Sequence, residues 1–390
     1  MLDNLRIPDL SGLTHMETPQ IDYSIFDKYK EVNRLIIIGN GFDLAHGLKT
    51  SFKDFIEDYT LKILNELKRN YHFEDGLLSI TSKANFEELR SNLNTLDKSE
   101  VYKIFIYLLK GNQRIEIEHQ SEFLKNIILS IQNKSWVDIE LVFFELLKDA
   151  SKNNDSKNIE QINNDLNSLK QLLKEYLKEE VSKQRIKPSR KLLSQFLMEI
   201  AKHETIPNTI EHDEQPNSIC VLNFNYTSLA LDYLEHMKSF PTTYIPIHGE
   251  LEGDDINKQG LVFGYGDELD KDYLEFENMN NDLLFEHIKS FKYLHFDHYR
   301  SLLEFINSKP FQVHLYGHSC GLSDRTLLNT IFENENCISI KNFYYSNSGK
   351  DDYEQKSYAI ARHFKSKADL RAKVVNKTKC EPMIQPKDEI

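Results

Sequence analysis

Four short turns, each following an apolar run, carry the residues best suited to chemistry: Gly39-Asn40-Gly41, Asn225-Tyr226-Thr227, His248-Gly249 and Gly317-His318-Ser319. Ligands of an open parallel sheet bind beyond the carboxyl ends of its strands, where the strand order switches. Four such turns at equivalent ends therefore predict one site. Glycine directly after a buried strand leaves room for a pyrophosphate, which exposed backbone N–H groups can cradle; an ordinary strand-to-helix turn would use the same residues. His248 ends an apolar strand, where an imidazole with an ordinary pKa of about 6.5 could draw a proton from a sugar hydroxyl or a water. A structural hydrogen bond is its plainer role. The Asn225 amide can orient a water or hold a ribose hydroxyl, or simply make the turn.

Other chemistries fit less well. The G-x-G-x-x-G of dehydrogenases is not met, because Leu44 stands three residues after Gly41 and the third glycine arrives only at Gly47. No G-x-x-x-x-G-K-[ST] occurs, so hydride transfer and ATP hydrolysis both lose ground. His46, His314 and His318, with Asp43 and Asp324, fall near the same predicted rim. They form no H-E-x-x-H or cysteine–histidine spacing, and no metal is expected.

The elements that must position these turns follow from hydrophobic periodicity. Leu35 to Ile38 is a continuous apolar run, as expected of a strand buried on both faces. Ser51-Phe52-Lys53-Asp54 fits a capping box, and Phe52, Phe55, Ile56 and Tyr59 recur at helical spacing behind it. Residues 71–215 read as a large, almost purely helical insertion. Trp136, Ile139, Phe143 and Leu147 share one face there, and Ile159, Ile162, Leu166, Leu169, Leu173, Tyr176 and Leu177 another. These stripes read as core.

Strand and helix alternate again from Ser218 to Phe224, with a helix through Leu229, Tyr233 and Met237. Short strands are predicted at Tyr244–Ile247 and Leu261–Phe263, then a helical stretch over Tyr273–Asn307. A strand at Gln312–Tyr316, a helix at Ser323–Phe332, a strand near Ile338–Tyr345 and a last helix to Phe364 complete the series. The predicted chain is α/β. A polar arm over residues 1–33 precedes a parallel-sheet core built from 34–70 and 216–364, and residues 365–390 form a frayed polar tail.

Composition narrows the function classes. The 390 residues are 40% hydrophobic, enough for a sizeable core, and carry a formal net charge of -13. That acidity argues against a protein that tracks nucleic-acid backbones, so no nucleic acid is expected as partner. The Lys183–Lys191 stretch reads as solvated surface. The opening MLDNLRIPDL has no basic and apolar leader, and no run approaches the ~18 apolar residues of a membrane span. A cytoplasmic protein without membrane contact is expected. Cys220, Cys320, Cys337 and Cys380 make no C-x-x-C pair and read as free thiols.

The runs IIIGNGFDLAHGLKTSFKDF, WVDIE at 136–140, NFNYTSL at 223–229, IHGEL at 247–251 and YGHSCGLSD at 316–324 resemble the AbiH family of bacterial phage abortive-infection proteins, over about 33–345. A more distant resemblance is to sirtuins and sirtuin-like NADases. Gly39-x-Gly41 with Gly47-Leu48 has the glycine spacing of their opening loop, and Asn223 to Thr227 falls where they carry a T-x-N-Y-D type motif. His248-Gly249 matches their catalytic histidine, and Gly317 to Asp324 their G-x-S-x-x-D segment.

These resemblances imply a sirtuin-like Rossmann core with a helical insertion, acting as an NAD glycohydrolase that depletes NAD in infected cells. They imply His248 as the base and Asn225 at the nicotinamide-side ribose or the water. Gly39, Asn40, Gly41 and Gly47 would belong to the dinucleotide loop, with Gly39 and Gly41 facing the pyrophosphate. Ser319 would lie near the adenosine ribose, and Asp43, Thr227, Gly317, His318 and Asp324 would also belong to the nucleotide site, Asp43 near a phosphate, capping the loop or on a ribose hydroxyl. No cofactor beyond NAD as substrate is implied. The chain departs from the pattern in two places: Thr227 replaces the motif's aspartate, and Asp43 stands where sirtuins have serine. The sirtuin zinc ribbon is also missing, which argues against protein deacylation. A toxic NADase must be restrained before infection, so a homo-oligomer answering to a phage-derived trigger through the insertion is expected. A nucleotide sensor and a metal-dependent nuclease or phosphodiesterase are the alternatives.

Overall fold

The computed structural model describes residues 31–83, 96–110, 114–128, 136–183, 185–253 and 258–389. The arm expected over 1–33 falls almost wholly outside the described residues, as does the Trp136 side chain. In chain order the strands are β1 (Asn33–Ile38), β2 (His72–Glu74), β3 (Leu78–Ser82), β4 (Ile115–Gln120), β5 (Ile219–Asn223), β6 (Thr242–Pro246), β7 (Phe311–Tyr316) and β8 (Cys337–Phe343).

A five-stranded parallel sheet with the order β6-β5-β1-β7-β8 carries the fold. Every residue of β1 is buried. Leu35 and Ile37 join one core cluster with Leu302, Ile306, Leu328 and Ile331, while Ile36 and Ile38 join another with Phe42, Phe196 and Tyr233. Alternate side chains thus feed opposite layers, which is why the run is apolar throughout rather than alternating. From β1 the sheet grows through β5 to β6, then the chain crosses back and adds β7 and β8 on the other side. The strand order switches beside β1.

Helix α1 (Asn40–Ala45) follows β1 with only Gly39 between them. The predicted capping box is present at α2 (Phe52–Asn70), where the Ser51 hydroxyl accepts from the Asp54 N–H at 3.1 Å. Two long helices, Trp136–Lys152 and Ser156–Ser182, pack with α2 in a third cluster that also takes in Leu251, Phe263, Tyr265 and Ile288.

Several sequence expectations are corrected. The 71–215 segment is not almost purely helical, since β2, β3 and β4 form an antiparallel sheet within it. Leu261–Phe263 is not a strand; its residues are buried in a loop whose Val262 N–H donates to His248 O and whose Val262 O accepts from the Tyr226 hydroxyl. The stretch over 273–307 breaks into helices Lys271–Glu277, Lys289–Lys292 and His298–Ser308.

The tail is not frayed. It forms a helix at Lys367–Lys373, returns Val375 N–H to Ile340 O and Met383 N–H to Tyr344 O, and buries Val375 and Met383. None of the helices among the described residues is long and apolar enough to cross a membrane.

Candidate functional site

The loops after β1, β5, β6 and β7 converge on a cavity of about 240 Å³. Gly39, Asn40, Gly41, Asp43, Asn225, Thr227, His248, Gly317, His318, Ser319 and Asp324 all line it. Gly47 does not. It is exposed, with φ 88°, and closes the turn behind α1 by donating its N–H to Leu44 O. His46 and His314 are also elsewhere: His46 bonds Phe42 O and the Tyr233 hydroxyl, and His314 bonds Gln312 inside the sheet.

The loop glycines have a packing reason. A Cβ on Gly41 would lie 2.7 Å from Gly317 Cα, and one on Gly39 2.5 Å from His318 Cα. The β1 and β7 loops touch backbone to backbone, and Gly317 at φ 66° completes the contact. The Gly39 N–H donates to Tyr316 O and the Gly41 N–H to Gly317 O. These two donors are committed to β7 and the loop that follows it.

Asp43 projects from α1 and is buried. Its Oδ1 accepts from Asn225 Nδ2 at 2.9 Å and its Oδ2 from the Thr227 hydroxyl at 2.8 Å. Asn225 Nδ2 also donates to Gly39 O. Asn223 braces the loop from below: its Nδ2 donates to the carbonyls of Asn225 and Thr227, and its Oδ1 accepts from the Asn225 N–H. Burial pushes the Asp43 carboxyl up to about 7, although the Thr227 and Asn225 hydrogen bonds favour its charge.

Asp324 sits across a different set of partners. The Lys289 ammonium lies 2.8 Å from Asp324 Oδ1 and 2.9 Å from Glu140 Oε1, all three side chains being buried. His248 Nε2 lies 3.1 Å from Asp324 Oδ1, within ion-pair reach but off the line of a hydrogen bond. His318 Nδ1 accepts from the Cys320 N–H, which places the proton of a neutral ring on Nε2, 3.7 Å from Asp324 Oδ2.

Burial works to raise Asp324, yet Lys289 and His248 hold it well below the usual carboxylate range. Burial opposes the charge of Lys289, but Asp324 and Glu140 hold its pKa above the ordinary lysine value. Glu140 is raised by burial, against the pull of Lys289. Burial and Lys289 lower His248 against the pull of Asp324, and burial pushes His318 down to about 3. Near neutral pH the cavity therefore holds an ionised Asp324, a charged Lys289 and neutral imidazoles, with the Asp43 and Glu140 carboxyls both raised toward neutrality.

The sequence reading missed Lys289 and Glu140 as site residues. A single lysine in an aromatic stretch gives no local signal. Glu140 lay inside the quoted WVDIE run, which was the one available pointer. Among the described residues no group of three or more His, Cys, Asp or Glu side chains is arranged to hold a metal ion.

A family model described as bacteriophage abortive infection AbiH matches residues 35–346. No curated protein and no solved structure matches the chain.

Proposed function

The chain belongs to the bacteriophage abortive infection AbiH family, and from that premise we propose that it is an N-ribosyl hydrolase of anti-phage defence, with NAD as substrate. Cleaving the nicotinamide–ribose bond would deplete NAD in the infected cell. The observation that carries this reading is the pair of buried carboxylates, Asp43 and Asp324, on one cavity at the switch of the strand order. N-glycosidic cleavage develops positive charge on the ribose, as other glycosidic cleavages do. The ionised carboxylate of Asp324, with Asp43 in its ionised form, would stabilise that charge without reorganising. Nicotinamide departs neutral from a positively charged ring and needs little help.

Asn225 gives its amide hydrogens to Gly39 O and Asp43, which leaves its Oδ1 to receive a hydrogen from a ribose hydroxyl or the attacking water. Neutral His248, next to ionised Asp324, is placed to take the proton. The two departures from the sirtuin-like pattern also support the reading, because they touch. The Thr227 hydroxyl bonds the Asp43 carboxylate at 2.8 Å, so a carboxylate missing from one loop is supplied by the other. This refines the substrate's placement. Acidic walls and committed glycine N–H groups disfavour a buried pyrophosphate, so the ribosyl–pyridinium end enters and the phosphates stay toward the mouth. A five-stranded parallel sheet whose order switches beside its first strand suits such a ligand.

The proposed step needs no metal, since Lys289 occupies the place between Glu140 and Asp324 that a divalent ion would need. The insertion supplies Glu140, and we propose that restraint before infection acts through that insertion in a homo-oligomer until a phage component relieves it. Light scattering paired with turnover at each assembly state checks it. A sensor that binds nucleotide without cleaving it is the second reading, favoured by the weak basicity of His248. Purified protein incubated with NAD should release nicotinamide equally with and without EDTA, and His248→Gln should release none. Binding without release would establish the sensor, and loss of release in EDTA a metal-dependent hydrolase.

A further inference from the structure

The helix that carries Asp43 is too short to hold itself. α1 has six residues, so most of its peptide groups lack an intrahelical partner, and a helix of that length is not stable in water without tertiary support. The Gly39 N–H ties its start to β7 at Tyr316 O. Phe42, Ala45 and His46 stand at i, i+3 and i+4 on its core face, and Asp43 projects beside them into the cavity.

Two sets of contacts grip that core face. The first is a chain of hydrogen bonds. The Ser189 N–H donates to the Tyr233 hydroxyl at 2.9 Å, the hydroxyl lies 2.6 Å from His46 Nε2, and His46 Nδ1 lies 2.7 Å from Phe42 O. A carbonyl only accepts, so the ring proton is on Nδ1 and the Tyr233 O–H donates to Nε2. Burial lowers His46, which favours this neutral form. The second set comes from the end of the chain. Met383 is buried in one cluster with Phe42, Ala45 and Leu48. The Lys387 ammonium donates to Leu44 O at 3.4 Å, and Glu389 accepts from the Ser189 hydroxyl at 2.9 Å. Gln195 holds the same segment, donating to Pro382 O and accepting from the Ile384 N–H. None of these residues lines the cavity.

We propose that the chain end, residues 382–389, acts with Tyr233 and His46 as the positioning device of the cavity. While the end is docked, α1 is fixed and the Asp43 carboxyl meets Asn225 and Thr227; when it lifts, α1 loosens and the carboxyl is released toward solvent. Chain termini detach more easily than the elements they cover, so control of the site falls to this segment. The effect on NAD cleavage rests on the role proposed for Asp43, whereas the mechanical link does not.

The test follows the carboxyl carbon of Asp43 by NMR through a pH titration, with Asp43→Asn to assign the signal. Burial is the chief cause of a midpoint of about 7 in the full chain. A chain ending at Glu381 should therefore titrate at least one unit lower, toward the ordinary ~4, and Tyr233→Phe roughly half a unit lower. Ile306→Ala, in the layer on the other side of the sheet, should lower stability and leave the midpoint in place. If the shortened chain does not fold, Met383→Ala combined with Lys387→Met replaces it with the same expected shift. Equal midpoints in the full and altered chains, or an equal shift in Ile306→Ala, would overturn the proposal. Nicotinamide release at saturating NAD, read in parallel, should fall by roughly tenfold to a hundredfold in the shortened chain. A moved midpoint with unimpaired cleavage would overturn the control of chemistry. A moved midpoint in a chain that never cleaves NAD keeps the device and loses the hydrolase.

Discussion

Asp43 and Asp324 are both buried carboxylates on the same cavity, yet they are held in opposite states. Asp43 has only neutral partners, an amide and a hydroxyl, and burial dominates, raising its pKa to about 7. Asp324 has an ammonium at 2.8 Å and stays ionised well below the usual range. One carboxyl thereby changes protonation near neutrality while the other keeps a fixed charge. Their contributions to stability run in opposite directions with pH. Asp43, raised on folding, contributes stability below pH ~4 that is lost as pH rises toward 7; Asp324, depressed on folding, contributes stability above pH ~4 that is lost as pH falls.

The comparison breaks most visibly at Lys289. Lys289→Met should cost roughly 3–5 kcal/mol in urea denaturation, because it leaves Asp324 and Glu140 buried without their cation. A loss below about 1 kcal/mol would mean that Asp324 does not depend on the ammonium. Asp43→Asn should reduce NAD cleavage by about 10²–10³-fold, the usual worth of a group placed to stabilise developing charge. Its stability relative to the native chain should rise between about pH 4 and pH 7, by up to about 1.4 kcal/mol per unit. A pH-independent difference would remove the shift assigned to Asp43. The smallest effect is expected from Thr227→Val. Losing one hydrogen bond to the charged form should move the acid limb of the pH–rate profile upward by roughly half to one unit, with kcat at high pH little changed.

The central strands and their turns were legible because burial on both faces writes a continuous apolar run, as at Leu35–Ile38, and because a strand end must be punctuated. The same logic misread Leu261–Phe263, where packing against other segments, not pairing, hides the apolar side chains. It missed β4, whose IEIEHQ is mostly exposed and offers no buried stripe to read. Val375 and Met383 are isolated apolar residues in a polar tail, too sparse to announce a docked segment. At the cavity, strand ends pointed to Asp43, Asn225, His248 and Asp324. Lys289 and Glu140 meet there across 149 residues of chain, a pairing that no local spacing encodes. Gly47 was read by spacing alone, and spacing did not distinguish a loop glycine at the cavity from one closing a helix.

The sheet's middle strand is also the first to be synthesised. β1 pairs with β5 across about 185 residues and with β7 across about 278. At ribosomal speeds of about 5–20 residues per second, β1 waits roughly 10–40 s for its first neighbour and longer for its second. A strand whose last four residues, Leu35–Ile38, are all apolar and whose two edges are open is an aggregation hazard during that interval. The same order of synthesis delays the chemistry. Asp324 emerges after every other wall of the cavity, so a chain cut short before it carries the parts of the site without the site.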